Sequence, residues 1–151
     1  MEQLDREMQK RVWQRVQSRE PVQMPELPGE TLKSLLLTAR ENHAAYTHLQ
    51  KQMGPNHRDM VNRLRQGSRR TIACLQGICR LRGETVKSFR MDAGRDDTRR
   101  ALEKCYHRER KLCAAWEQRV VDPEFGMVFE KLGHLTREHC AILMELLGNL
   151  E

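Results

Sequence analysis

The sequence predicts an all-α protein, an antiparallel four-helix bundle with a short extra helix at its N-terminus. Composition is the first reason. Leu, Glu, Arg, Gln, Ala and Met recur, while Val, Ile, Thr and the aromatics are sparse, aromatics making up 5% of 151 residues; that mixture favours helix over sheet. Periodicity is the second. Four stretches carry apolar residues at alternating steps of three and four, one stripe each, between breaks at 54–56, 83–96 and 122–123. The length suits one ordinary domain with a single core.

Residues 1–29 read as an amphipathic helix followed by a linker. Leu4, Met8, Val12 and Val16 fall at helical spacing with Trp13 alongside, and Pro21, Pro25 and Pro28 then block continuation. Residues 30–151 are the bundle. Its first helix begins near Thr31 and stops at Met53, ahead of Gly54-Pro55-Asn56, with a seam of Leu32, Leu35, Ala39, Asn42, Tyr46, Leu49 and Met53. The second starts after Asn56, a good N-cap, and ends near Gly83; its seam is Val61, Leu64, Ser68, Thr71, Leu75 and Ile78.

A polar connection over 83–96 leads to a third helix capped by Asp96 or Asp97, with a seam of Leu102, Cys105, Glu109, Leu112, Trp116 and Val120. Asp122-Pro123-Glu124 restarts the chain as a fourth helix: an N-cap residue, proline at the first helical position and an acid in the first turn. Phe125, Phe129, Leu132, Thr136, His139, Leu143, Leu146 and Leu150 form its seam. The short link between helices three and four makes them either a tight antiparallel pair or one kinked rod, and a single bundle of this size favours the pair.

Other classes are excluded. No apolar run approaches the roughly 20 residues that cross a bilayer, and the opening MEQLDREMQKR has no apolar signal core, so a cytoplasmic protein is expected. Five cysteines, none in a C-x-x-C pair, suggest reduced thiols rather than disulfides or a zinc site. Phosphate-binding glycine loops, H-E-x-x-H and a nucleophile elbow are absent.

The formal charge of +6 is local: residues 57–82 hold seven arginines and one acid, and the rest of the chain carries as many acids as bases. Arg58, Arg65, Arg69 and Arg80 share one side of the second helix, away from its seam, with Arg63 and Arg70 beside them. Such a face is ordinarily a solvated one; as a surface it suits an acidic protein partner or, without interleaved aromatics, less well a nucleic acid.

Every seam turns polar near its midpoint: Asn42, Ser68 and Thr71, Glu109, Thr136 and His139. In a bundle of helices of similar length these positions converge on one layer, where Glu109 and His139 face each other. A carboxylate in a core needs a partner, because desolvating it alone costs several kcal/mol. His139, the Ser68 and Thr71 hydroxyls, water or a metal ion are the candidates. Glu41 and Glu138 sit beside the layer but point to the flank, and His107 and His134 read as surface histidines.

The segments RTIACLQGICRLRGE (70–84), YHRERKLCAAW (106–116) and FEKLGHLTREHCAILMELLG (129–148) resemble the second, third and fourth helices of the ferritin-like, rubrerythrin-type superfamily, and the likeness covers residues 31–150. The resemblance implies a four-helix bundle with a two-metal site at mid-height, built from a Glu on each of two helices and an E-x-x-H pair on each of the other two. In that pattern Ala39 stands at the first Glu, Ser68 and Thr71 at the second-helix Glu and His, and Thr136 at the last Glu. Only Glu109 and His139 remain, so no cofactor is expected; the alternative is iron or manganese at a remodelled Glu109/His139 site. The expected role is non-enzymatic, an interaction or structural one, with a metal-binding, oxidative-stress protein or a basic adaptor as alternatives. Partners would be further copies of the chain or another protein, engaged through the N-terminal helix or the basic second helix.

Overall fold

The computed structural model describes residues 31–87, 91 and 94–150; the helix expected over 4–18 lies outside them. Among the described residues the fold is entirely helical: α1 (Leu32–Gln52), a 3-10 turn (Pro55–His57), α2 (Arg58–Leu81), α3 (Thr98–Arg119) and α4 (Gly126–Gly148). The four helices pack side by side as a bundle.

The caps explain where the helices stop and start. Thr31 caps α1 by accepting the Ser34 amide at 3.0 Å, and Asp97 caps α3 through the Arg100 amide at 2.8 Å; each satisfies a donor the helix itself leaves open. Asn56 is not the cap of α2. Pro55 draws it into the 3-10 turn, and α2 follows from His57 without a side-chain cap. At the other end of α2, Gly83 takes φ 75°. Its amide bonds to the Arg80 carbonyl while the Glu84 amide reaches Cys79, the double closure of a Schellman motif, which wants a left-handed residue that glycine supplies without strain. Asp122 accepts from the amides of Glu124 and Phe125 at 2.9 and 3.0 Å. It caps the corner, and α4 proper begins at Gly126.

Two apolar clusters show how the helices run. One joins Leu32, Leu35, Leu36 and Ala39 to Leu75, Ile78, Cys79, Leu112, Ala115, Trp116, Phe129 and Leu132. The other joins Ala45, Tyr46 and Leu49 to Val61, Leu64, Leu102, Cys105, Ile142, Leu143 and Leu146. The start of α1 thus meets the ends of α2 and α3 and the start of α4. α1 and α4 run one way, α2 and α3 the other, and every adjacent pair is antiparallel. α2 ends at one cluster and α3 begins at the other, so the connection between them travels the length of the bundle. Arg40 Nη1 holds it near its start through the Lys87 carbonyl at 2.9 Å.

The seams are buried as their spacing demands, Leu75 and Leu143 fully. Val120 is the exception: it is exposed at the α3–α4 corner, where the last turn of α3 runs past the core. Phe125 and Leu150, at the two ends of the fourth seam, and Met53, at the end of the first, are half-buried. Arg119 fills the place beside Val120 instead, buried with its guanidinium 5.9 Å over the Phe129 ring.

Candidate functional site: a polar layer at mid-height

Between the two apolar clusters lie Asn42, Ser68, Thr71, Glu109, Thr136 and His139, all buried. Glu109 and His139 are each 2% exposed, and the bundle brings them together: His139 Nδ1 is 3.0 Å from Glu109 Oε1. Two more donors converge on that oxygen from α1, the Tyr46 hydroxyl at 2.8 Å and the Asn42 amide at 3.3 Å. Asn42 also donates to the Cys105 carbonyl at 3.2 Å, one turn before Glu109, so α1 is pinned to α3 at two successive turns.

The hydroxyls expected to complete this network do not. Ser68 Oγ donates to the Arg65 carbonyl at 2.8 Å and meets His43 Nδ1 at 2.8 Å. Thr71 and Thr136 bond back to their own helices, Thr71 to Gly67 and Thr136 to Leu132 and Gly133. A buried threonine in a helix finds its nearest acceptor one turn earlier, and that local bond wins over a cross-helix one. The layer is therefore two groups: Glu109 with Tyr46, Asn42 and His139 at the centre, and Ser68 with His43 at the α1–α2 flank.

The carboxylate only accepts, so His139 Nδ1 donates to it. That leaves Nε2 on the far side of the ring without a partner, facing α2 at Gly67. A Cβ on Gly67 would stand 2.1 Å from Nε2 and 2.4 Å from Cε1; only glycine lets α2 come this close to the imidazole. Tyr46 meets the other side of the ring edge-on, centroids 6.2 Å apart. Glu109 Oε2 and Asn42 Oδ1 likewise lack a protein partner.

The setting keeps its members as they are. Burial, with the Glu109 carboxylate adding to it, lifts the Tyr46 phenol well above its ordinary pKa, so it stays a donor. Burial likewise pushes the Cys105 thiol up to about 12 and the Cys140 thiol to about 11, far from the thiolate that a nucleophile or metal ligand needs. His43 is lowered by burial, and the nearby Arg65 and Arg69 charges act the same way.

Around the layer, Glu41 pairs with Arg108 at 3.2 Å and Glu138 pairs with Arg63; both are flank residues that clasp neighbouring helices. His107 and His134 are exposed. Among the described residues no group of three or more His, Cys, Asp or Glu side chains gathers as a metal site, and no helix is long and apolar enough to cross a membrane. On α2, Arg58, Arg69, Arg70 and Arg80 are exposed, and none makes an ion pair among the described residues. Arg65 departs from that stripe: it is half-buried, with Nη1 on Gln50 Oε1 at 2.8 Å, because its place on α2 borders α1.

Sequence reasoning missed Tyr46 and Gly67 as members of the layer. By spacing Tyr46 belongs to the apolar seam, yet it lies one turn from Asn42 on the same face, within reach of a polar group opposite. A glycine in mid-helix costs about 1 kcal/mol against alanine, which marks Gly67 as a candidate for a close approach, but Gly77 in the same helix carries the same mark with nothing within 4 Å. No protein-family model matches the chain, and no curated protein or solved structure matches it significantly.

Proposed function

We propose that the chain is a non-enzymatic bundle of the ferritin-like kind, whose metal layer has been replaced by a hydrogen-bonded one and which serves an interaction or structural role in the cytoplasm. One observation carries this reading: Glu109 Oε1 receives three protein donors, from Tyr46, Asn42 and His139. Those bonds compensate one oxygen of the carboxylate within the protein, where a metal layer would use a cation. The connectivity supports it too, since a bundle with one long crossover is the ferritin-like arrangement.

The residues present do not fit a pair of iron or manganese ions. Such a pair wants several carboxylates to balance its charge, and Ala39, Ser68, Thr71 and Thr136 stand where the resemblance would put four of the six ligands. His139 spends Nδ1 on Glu109 and turns Nε2 to Gly67, so ligating an ion beside Glu109 would require Nδ1 to give up its proton and its bond to the carboxylate. Elemental analysis of protein purified without chelators, with anaerobic titration of Fe(II) and Mn(II), is the test. Less than one ion per chain is expected, unchanged in Glu109→Gln; two ions per chain, lost in that variant, would overturn the reading.

A second reading has its own observation behind it. Arg58, Arg69, Arg70 and Arg80 are unpaired among the described residues and share the outer side of α2, so this face would engage an acidic protein. Binding to an acidic polypeptide that weakens steeply with salt, and falls in Arg69→Glu/Arg80→Glu, supports that role; no binding at low salt dismisses it.

A further inference from the structure

The flank where α1 meets α2 gathers positive charge that no acid among the described residues pairs with. His43 Nδ1 and Ser68 Oγ, 2.8 Å apart, join the helices there; Arg65 stands one turn before Ser68 on α2 and Arg69 directly after it. The acids of these two helices are elsewhere. Glu41 turns to Arg108 on α3 at 3.2 Å, and Asp59 lies about 120° round α2 from Arg65. Arg65 is half-buried. Its Nη1 meets the neutral Gln50 Oε1 at 2.8 Å, and its Nε is buried with no protein partner. Drawing a guanidinium partly out of water toward an uncharged amide is costly, and a buried donor left without an acceptor points to a ligand that supplies one.

Burial holds the His43 pKa below its ordinary value; the Arg65 carbonyl opposes this, and the charges of Arg65 and Arg69 add to it. The ring is therefore neutral at neutral pH, with both guanidiniums within electrostatic reach. Ser68 gives its one hydroxyl proton to the Arg65 carbonyl, so its oxygen accepts from Nδ1–H and Nε2 keeps a lone pair. The flank thus offers two cationic donors beside one neutral acceptor.

That combination selects an anion that still carries a proton. Sulfate would satisfy the guanidiniums but set its oxygens against the Nε2 lone pair. Hydrogen phosphate keeps one hydroxyl at neutral pH, and the guanidinium fork suits its remaining oxygens. We propose that this flank binds free hydrogen phosphate, with Arg65 and Arg69 donating to its bare oxygens and His43 Nε2 accepting from its hydroxyl. A phosphate monoester is doubly ionised above its second pKa of about 6 and has no such proton to give. The site is distinct from a face for an acidic protein: Arg80 is about 16 Å beyond Arg69 along α2.

Phosphorus NMR of inorganic phosphate titrated with the full chain, at pH 8 and fixed ionic strength, tests the proposal. Binding should saturate, and Arg65→Gln and Arg69→Gln should each weaken it about tenfold. Sulfate and methyl phosphate should compete about tenfold less well than phosphate does, and His43→Leu should bring phosphate down to their level. Arg69 is exposed, so its variant keeps the bundle intact, which circular dichroism reports, even where a change at Arg65 or His43 disturbs packing. Arg80→Gln should leave phosphate binding as it is while weakening an acidic polypeptide, so the two readings fail separately. Absence of saturable binding overturns the proposal, as does equal binding by the native chain and Arg69→Gln. Sulfate or methyl phosphate competing as well as phosphate overturns it equally.

Discussion

Replacing Gly67 by alanine should destabilise the bundle, although an alanine in mid-helix ordinarily does the reverse. The intrinsic preference favours alanine by about 1 kcal/mol. Against it, the new methyl would stand 2.1 Å from His139 Nε2 and 2.4 Å from Cε1, with Leu135 Cδ1 at 3.2 Å. The imidazole has to retreat, and its only polar anchor is the 3.0 Å bond to Glu109. Losing a hydrogen bond to a charged group costs about 1.5–3 kcal/mol, and overpacking adds roughly 1–3 kcal/mol. The net expectation is a loss of about 1.5–5 kcal/mol, read as a lower urea midpoint at unchanged slope. Two controls sharpen it. A Cβ on Gly77, in the same helix, would meet nothing within 4 Å, so Gly77→Ala should gain about 0.5–1 kcal/mol. In a His139→Ala background the obstacle is gone, and Gly67→Ala should change sign and stabilise. A Gly67→Ala protein as stable as the native one, or no reversal in the His139→Ala background, would refute the packing argument.

Three further outcomes follow from the same contacts. In a double-mutant cycle, Glu109→Gln and His139→Leu should couple by about 1.5–3 kcal/mol, since the first removes the charge from the bond and the second removes the donor from a buried carboxylate; coupling near zero in urea unfolding would show that their contact carries no energy. Burial works upward on the Asp122 carboxyl, but the Arg82 bond and the Phe125 and Glu124 amides outweigh it and hold the carboxyl below its ordinary value. Its contribution is therefore full above the unfolded pKa of 3.8 and lost as pH falls through the folded one, so Asp122→Ala should cost about 1–3 kcal/mol at neutral pH and flatten the acid limb of the stability curve; an unchanged acid limb would contradict this. Cys105, pushed up to about 12, should resist iodoacetamide at pH 8 while the half-buried Cys74 and Cys113 react; equal labelling rates by peptide mapping would count against its burial.

What the sequence makes legible here is height and face. Steps of three and four say which side of each helix is buried, and equal helix lengths put Glu109 and His139 at one level, where the structure has them. The same information does not say which helix each seam meets. The run 83–96 is compatible with a short turn or a crossover, because polar residues satisfy either; only the packing of Leu75 with Leu35 and of Leu102 with Leu49 distinguishes them. For the same reason the sequence leaves Ser68 as one of several candidate partners for Glu109, whereas it borders α1 and finds His43. Asn56 has the chemistry of a cap, yet the adjacent proline sets a tighter turn that capping preference alone does not register. Val120 keeps the seam's period but lies beyond the end of the partner helices.

The polar layer makes thermodynamic sense as a register device rather than as a source of stability. A buried carboxylate bonded to a histidine, a tyrosine and an asparagine is often no more stable than a well-packed apolar set in the same volume. Misplacing it is another matter. Sliding α3 against α1 by one turn, about 5.4 Å, would carry Glu109 away from Tyr46 and Asn42 into the leucines of one apolar cluster, at a cost of several kcal/mol for the stranded charge. Apolar seams of leucine tolerate such slips, because one leucine serves nearly as well as the next. Asn42, bonded at once to Glu109 and to the Cys105 carbonyl, locks α1 to α3, and the pairing of Glu109 with His139 locks α3 to α4. Gly67 fits α2 against the same imidazole, so all four helices take their height from one buried group. A layer of that kind performs a task that apolar seams alone do not: telling each helix where along its neighbours to stop.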